Sequence, residues 1–94
     1  MGELKAFRGI AKGLVQGVGY RYFVYQAANR LNICGMVRNL PNGDVEIFAQ
    51  GEKNHLREFL GELHQGPPFS QVENILIQWE NPKPDLTRFK IEHY

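Results

Sequence analysis

The chain has 94 residues, 43% of them hydrophobic and 22% charged, which suits one small folded domain and excludes long disordered tracts. A net charge of +1 and a pI of about 7.9 give no electrostatic basis for binding nucleic acid or an anionic membrane. The lone Cys34 rules out an internal disulfide, no apolar run is long enough to span a bilayer, and Met1–Arg8 lacks an apolar signal region. A cytoplasmic domain spanning 1–94 is expected.

Residues 4–14 alternate loosely, with Phe7, Ala11 and Val15 on one side and Arg8, Ile10, Lys12 and Leu14 on the other, a half-buried strand. It runs into Gly13-Leu14-Val15-Gln16-Gly17-Val18-Gly19-Tyr20-Arg21. From Arg21 the period changes: Phe23, Val24, Ala27, Ala28 and Leu31 form one stripe of an amphipathic helix, with Asn32 and Gly35 as terminators. Strands follow over 35–40 and 44–50, joined at Pro41-Asn42-Gly43. Asn-Gly is a strong hairpin signal because both residues tolerate φ > 0. Leu56, Phe59, Leu60 and Leu63 mark a second helix over 53–64, ended by Gly66-Pro67-Pro68. A fourth strand over 72–79 carries Ile75, Ile77 and Trp79 on one parity, and Asn81-Pro82-Lys83-Pro84 makes a stiff turn. A last strand over 87–94 alternates Phe89 and Ile91 with charges. The order β-α-β-β-α-β, with an extra short terminal strand, predicts an α+β, ferredoxin-like split βαβ fold, with two helices on one face of a mainly antiparallel sheet. In that topology the first and third strands are central neighbours and the second flanks the third, so the loop after strand one faces residues on strand two.

The glycine-rich stretch is a candidate anion cradle. Glycines allow the bends through which successive N–H groups converge on one point. The helix that follows adds unpaired N–H groups and the positive end of its dipole. Arg21 in the first turn opposes that dipole, at about 0.3–1 kcal/mol when exposed, and is better explained if a bound anion supplies the negative charge. Near the end of strand two stands Asn39, a residue with poor β propensity. Its carboxamide offers the acceptor and donors needed to position a water. On local pattern alone it serves equally as a pre-turn residue bonding its own backbone.

The segment GLVQGVGYR (13–21) resembles the acylphosphatase pattern G-x-V-Q-G-V-x-F-R, and GMVRNLPNGDVEIFAQG (35–51) is similar to that family's second pattern. Gly66-Pro67-Pro68 and the Phe89-x-Ile91 ending also resemble the family, so the likeness covers nearly the whole chain. Tyr20 stands where phenylalanine is usual and Met36 where an aromatic is usual, both at packing positions. The resemblance implies hydrolysis of acyl phosphates to a carboxylate and inorganic phosphate. It assigns Arg21 to phosphate binding, Asn39 to the attacking water, and substrate binding to Val15, Gln16, Gly17, Val18, Gly19 and Tyr20, with the backbone amides of 16–20 completing the anion hole. Arginine's planar fork matches phosphate oxygens, and phosphoryl transfer depends mainly on positioning and charge stabilisation. A carboxylate leaves without a general acid, its conjugate acid having a pKa of about 4. No cofactor or metal is implied, and Cys34, His55, His64 and His93 are scattered without zinc-ligand spacing. The partner implied is a small-molecule acyl phosphate, with no nucleic acid and no membrane, acting on a monomer.

The competing readings are weaker. Tyr20 and Arg21 replace the lysine and Ser/Thr of a Walker loop, which argues against nucleotide hydrolysis. Ferredoxin-like sheets also include RNA-recognition domains, but strand three offers only Phe48 and no basic-glycine-aromatic pattern. An acylphosphatase-like module within a larger maturation enzyme is a further alternative; the run from Met1 to a terminal strand favours a free-standing enzyme. Cys34 is read as a small buried hydrophobe at a helix end, the three histidines as solvated, and Arg38, Arg30 and Lys12 as charged faces. The terminal carboxylate of Tyr94 is a candidate anchor for Arg21.

Overall fold

The alternation of residues 4–14 becomes β1 (Leu4–Leu14) in a computed structural model that describes residues 3–93. There follow α1 (Tyr20–Arg30), β2 (Cys34–Asn39), β3 (Val45–Glu52), α2 (Lys53–Gln65), β4 (Gln71–Glu80) and β5 (Phe89–Glu92). The five strands form one sheet in the order β4-β1-β3-β2-β5, antiparallel except where β5 runs parallel to β2. The expected ferredoxin-like plan is therefore present, with β1 and β3 adjacent and β2 outside β3.

Register decides which side chains meet the helices. Phe7 lies opposite Ala49 and Ala11 opposite Val45, while Val37 on β2 faces Ile47. These residues share one parity and one face, and pack with Val24, Ala27 and Ala28 of α1 and Leu56, Phe59 and Leu63 of α2 into the core. Phe59 joins the two halves, with its ring centroid 6.5 Å from Phe7 and 6.1 Å from Phe89. An ion pair between Arg30 and Glu62 ties the helices at the surface.

Residues of the opposite parity form a polar face. Arg8 donates through Nε to Glu80 at 2.8 Å and through Nη1 to Glu46 at 2.9 Å, and Arg38 Nε reaches Glu46 at 2.6 Å. Arg8 holds the Glu80 carboxyl below its usual range. Lys12 pairs with Asp44 at 2.6 Å. The expectation that Lys12, Arg30 and Arg38 are charged-face residues holds, and each has a carboxylate partner.

Several local expectations need correction. Asn32 ends α1 in the left-handed region with φ 56°, but Gly35 lies inside β2 and plays no part in the termination. Cys34 is half-buried at the start of β2 and does not reach the core. In the hairpin only Gly43 has positive φ (97°), because Pro41 occupies the first turn position and Gly43 N–H closes on Leu40 O at 3.2 Å. That is a type I-like turn followed by a left-handed glycine, one of the common hairpin solutions. Trp79 lies on the edge strand and is 58% exposed, with its ring edge-on to Phe7 at 5.6 Å. β5 is shorter than the expected 87–94. Tyr94 lies outside the described residues, and with it the suggested anchoring of Arg21.

Candidate active site

The site forms where β1 gives way to α1. The β1–β4 register shifts between Lys12 and Gly13, and the pairing ends at Leu14, where the chain leaves the sheet. Gly17 (φ 74°) and Gly19 (φ 81°) then take left-handed conformations. A Cβ at either would meet nothing within 4 Å, so the backbone angle, and not lack of space, calls for glycine. Gly19 is the residue before α1, where no side chain caps the helix and no acidic residue occupies the first turn. The first helical bond is Phe23 N–H to Gly19 O at 3.1 Å. The amides of Tyr20, Arg21 and Tyr22 precede any intrahelical acceptor, as at every helix start.

Two side chains pin this loop. The Gln16 carboxamide donates to both Leu40 O and Asp44 O at 2.8 Å, joining the cradle to the base of the β2–β3 hairpin. Val15 and Tyr20 are buried in the core. The Tyr20 hydroxyl donates to Leu63 O at 2.8 Å, so the start of α1 is tied to the end of α2.

Burial pushes the Tyr20 phenol pKa up from its ordinary value of 10.0. Its neutral form is favoured only in the folded chain, so this contribution is complete below pH 10 and declines as pH rises above it. Tyr20→Phe is expected to cost about 1 kcal/mol at neutral pH by leaving Leu63 O unpaired. The variant should also lose less stability than the parent between neutrality and pH 11. Thermal melts at several pH values would check both; parallel alkaline limbs would show that Tyr20 does not control them.

A recess of about 210 Å³ is lined by Val15, Gly17, Gly19, Tyr20, Arg21, Tyr22, Asn39, Ile91 and His93. Arg21 and Asn39, 18 positions apart in sequence, thus share one cavity. Larger hollows, of about 620 and 640 Å³, lie elsewhere: on the polar face of the sheet, and beside Leu4 and Trp79. Arg21 is half-buried; Nη1 stands 3.5 Å from His93 Nδ1. Among the described residues no carboxylate pairs with it.

Asn39 is the last residue of β2, opposite Val45. Its Oδ1 is buried and has no hydrogen-bond partner among the described residues. An unpaired buried acceptor costs about 1–3 kcal/mol. The reading in which Asn39 bonds local backbone therefore does not hold. Asn42 takes that part, accepting from Asp44 N–H at 3.0 Å.

Of the residues expected at the site, Gln16 acts through its side chain on the hairpin and Val18 packs partly against the core, while the others line the recess. Tyr22, Ile91 and His93 were not expected there. Ile91 and His93 share the parity of Phe89, and the parallel pairing of β5 with β2 brings that row beside α1. The RNA-platform reading loses its one aromatic. Phe48 is buried beneath the Arg8 guanidinium, 5.1 Å from its ring centroid, and the Lys83 ammonium at 4.4 Å.

Strand order puts the chain among small ferredoxin-like α+β proteins, and its recess with Arg21 and Asn39 lies at the first strand–helix junction. The family model described as acylphosphatase matches residues 7–91. An acylphosphatase of Dehalococcoides mccartyi strain CBDB1 is 42% identical over 91 residues, covering 96% of this chain and all of that one. An acylphosphatase of Thermotoga maritima is 40% identical, covering 97% and 100%. The crystal structure of acylphosphatase from Bacillus subtilis superimposes with a TM-score of 0.90 at 39% identity, covering 96% of this chain and 99% of that one. The chain belongs to the acylphosphatase family. It is a hydrolase, and its family and fold carry the hydrolysis of small-molecule acyl phosphates. No helix of the described residues is long and apolar enough to cross a membrane.

Proposed function

We propose that this chain, as one metal-independent cytoplasmic domain acting as a monomer, hydrolyses acyl phosphates through Arg21, Asn39 and the backbone of the cradle. The observation that carries the reading is the buried, unpartnered Oδ1 of Asn39 in the same recess as Arg21. The phosphoryl group sits against the amides of 16–20, at the positive end of α1, with the Arg21 fork on its equatorial oxygens. Val15 and Tyr20 complete the wall of the substrate site.

Asn39 Oδ1 accepts a hydrogen bond from water and aims the water oxygen at phosphorus, opposite the carboxylate leaving group. The water O–P bond forms as the P–O bond to the acyl group breaks, and the bonding pair departs with the carboxylate. The proton lost by water passes to a phosphoryl oxygen, giving inorganic phosphate. Charge shifts onto the equatorial oxygens and the leaving group, where preorganised donors are most effective.

Phosphate release should be measured from acetyl phosphate, ATP and a phosphomonoester side by side. Release from acetyl phosphate alone is expected, since the other leaving groups are poorer without a general acid or nucleotide-binding elements. Comparable release from ATP or the monoester would overturn the reading.

A further inference from the structure

The recess contains one ionisable side chain with no part in the scheme of Arg21 and Asn39. His93 is the first residue beyond β5, and its Nδ1 stands 3.5 Å from Arg21 Nη1. The end of the chain alternates between two cavities: Lys90 and Glu92 border the hollow on the polar face, while Ile91 and His93 line the recess. The other titratable groups lining the recess, Tyr20, Arg21 and Tyr22, all come from α1. From β2 comes the uncharged Asn39, and from the cradle Val15, Gly17 and Gly19. Among the described residues no carboxylate pairs with Arg21 or with His93. An imidazolium here would face the guanidinium across 3.5 Å, and like charges that close repel unless an anion lies between them. A tetrahedral dianion in the recess removes the repulsion.

We propose that His93 is a second cationic ligand of the phosphoryl group, taking up a proton from solvent when a dianion occupies the recess and donating from its ring to a phosphoryl oxygen. The inference rests on the assignment of the phosphoryl group to Arg21 and the cradle. Both ring nitrogens of an imidazolium are donors, so one can serve an oxygen while the other faces water. Histidine is the side chain whose charge ordinarily changes between pH 5 and 8, whereas phenol and guanidinium groups keep one charge state there. Anion binding is thereby linked to pH. The protonated ring favours the bound state, so affinity is greatest on the acid side of that range and falls as pH rises through it.

Sulfate is the probe, because it is tetrahedral and, unlike phosphate, stays a dianion over the whole range. Its dissociation constant, measured by titration calorimetry, should rise roughly 3- to 10-fold between about pH 5.5 and 8, the effect of one solvent-exposed charge-assisted contact. His93→Gln should bind sulfate with the parent's alkaline affinity at every pH. His93→Lys, which keeps a cation throughout, should be equally flat but tighter than His93→Gln. Thermal melts without sulfate report that both variants are folded. A parent whose sulfate affinity ignores pH, or a His93→Gln variant that keeps the parent's slope, would overturn the role of His93. Arg21→Ala is run alongside: sulfate binding of parental strength in that variant would instead overturn the anion site beneath it.

Discussion

Arg21→Ala should abolish phosphate binding and lower kcat/KM for acetyl phosphate by at least ~10²–10³, the usual cost of removing one preorganised charge-stabilising donor. The fold should survive. Arg21 is half-buried, takes part in none of the ion pairs of the described residues, and its Nη1 stands 3.5 Å from His93 Nδ1. Its charge also opposes the dipole of α1, so removal relieves about 0.3–1 kcal/mol in the absence of an anion. Inorganic phosphate separates the two effects. A ligand that binds only the folded state raises stability by RT ln(1 + [L]/Kd), so phosphate should raise the parent's Tm and leave that of Arg21→Ala unmoved. Arg21→Lys should fall between them, because an ammonium retains charge but not the planar fork. Near-parental turnover by Arg21→Ala would remove this residue from the mechanism.

The parts of this molecule legible in sequence are those set by local periodicity. Phe7, Ala11 and Val15 reveal β1 by parity, and Leu56, Phe59 and Leu63 reveal α2 by their 3.6-residue stripe; all six are buried. Gly17, Gly19 and Arg21 stand out in sequence because glycines and a cation at a helix start are locally odd, and all three line the recess. Other features depend on what lies across the sheet. The Arg8–Glu80 contact joins residues 72 positions apart, and covering Phe48 takes Arg8 from β1 and Lys83 from the loop after β4. The part played by Gln16 depends on where the hairpin's carbonyls fall, which its own neighbours do not encode. Trp79 follows the right parity but sits on an edge strand, so its alternation does not bring burial. Asn39 is the intermediate case: its residue type is odd for a strand, but only its surroundings decide between turn and site.

Those surroundings separate the effects of Asn39→Ala on rate and stability. The rate should fall by about 10²–10³, as for other groups that act chiefly in the transition state, with the loss in kcat. Affinity for inorganic phosphate should stay within about twofold, because Arg21 and the cradle amides remain. Stability should not fall as it does for most strand-end truncations. Asn39 Oδ1 has no hydrogen-bond partner among the described residues, so the truncation breaks no hydrogen bond of the fold at that atom. Alanine leaves the backbone of the Asn39–Val45 pairing in place, so Tm should be little changed. Asn39→Asp provides the converse: it keeps an acceptor but adds negative charge beside the cradle, and should lose phosphate affinity as well as rate. If Asn39→Ala instead lost stability and phosphate binding together, the carboxamide would belong to the scaffold of the anion site. A slower but equally stable enzyme is the pattern expected of a polar group kept in an unfavourable place because water must be held there.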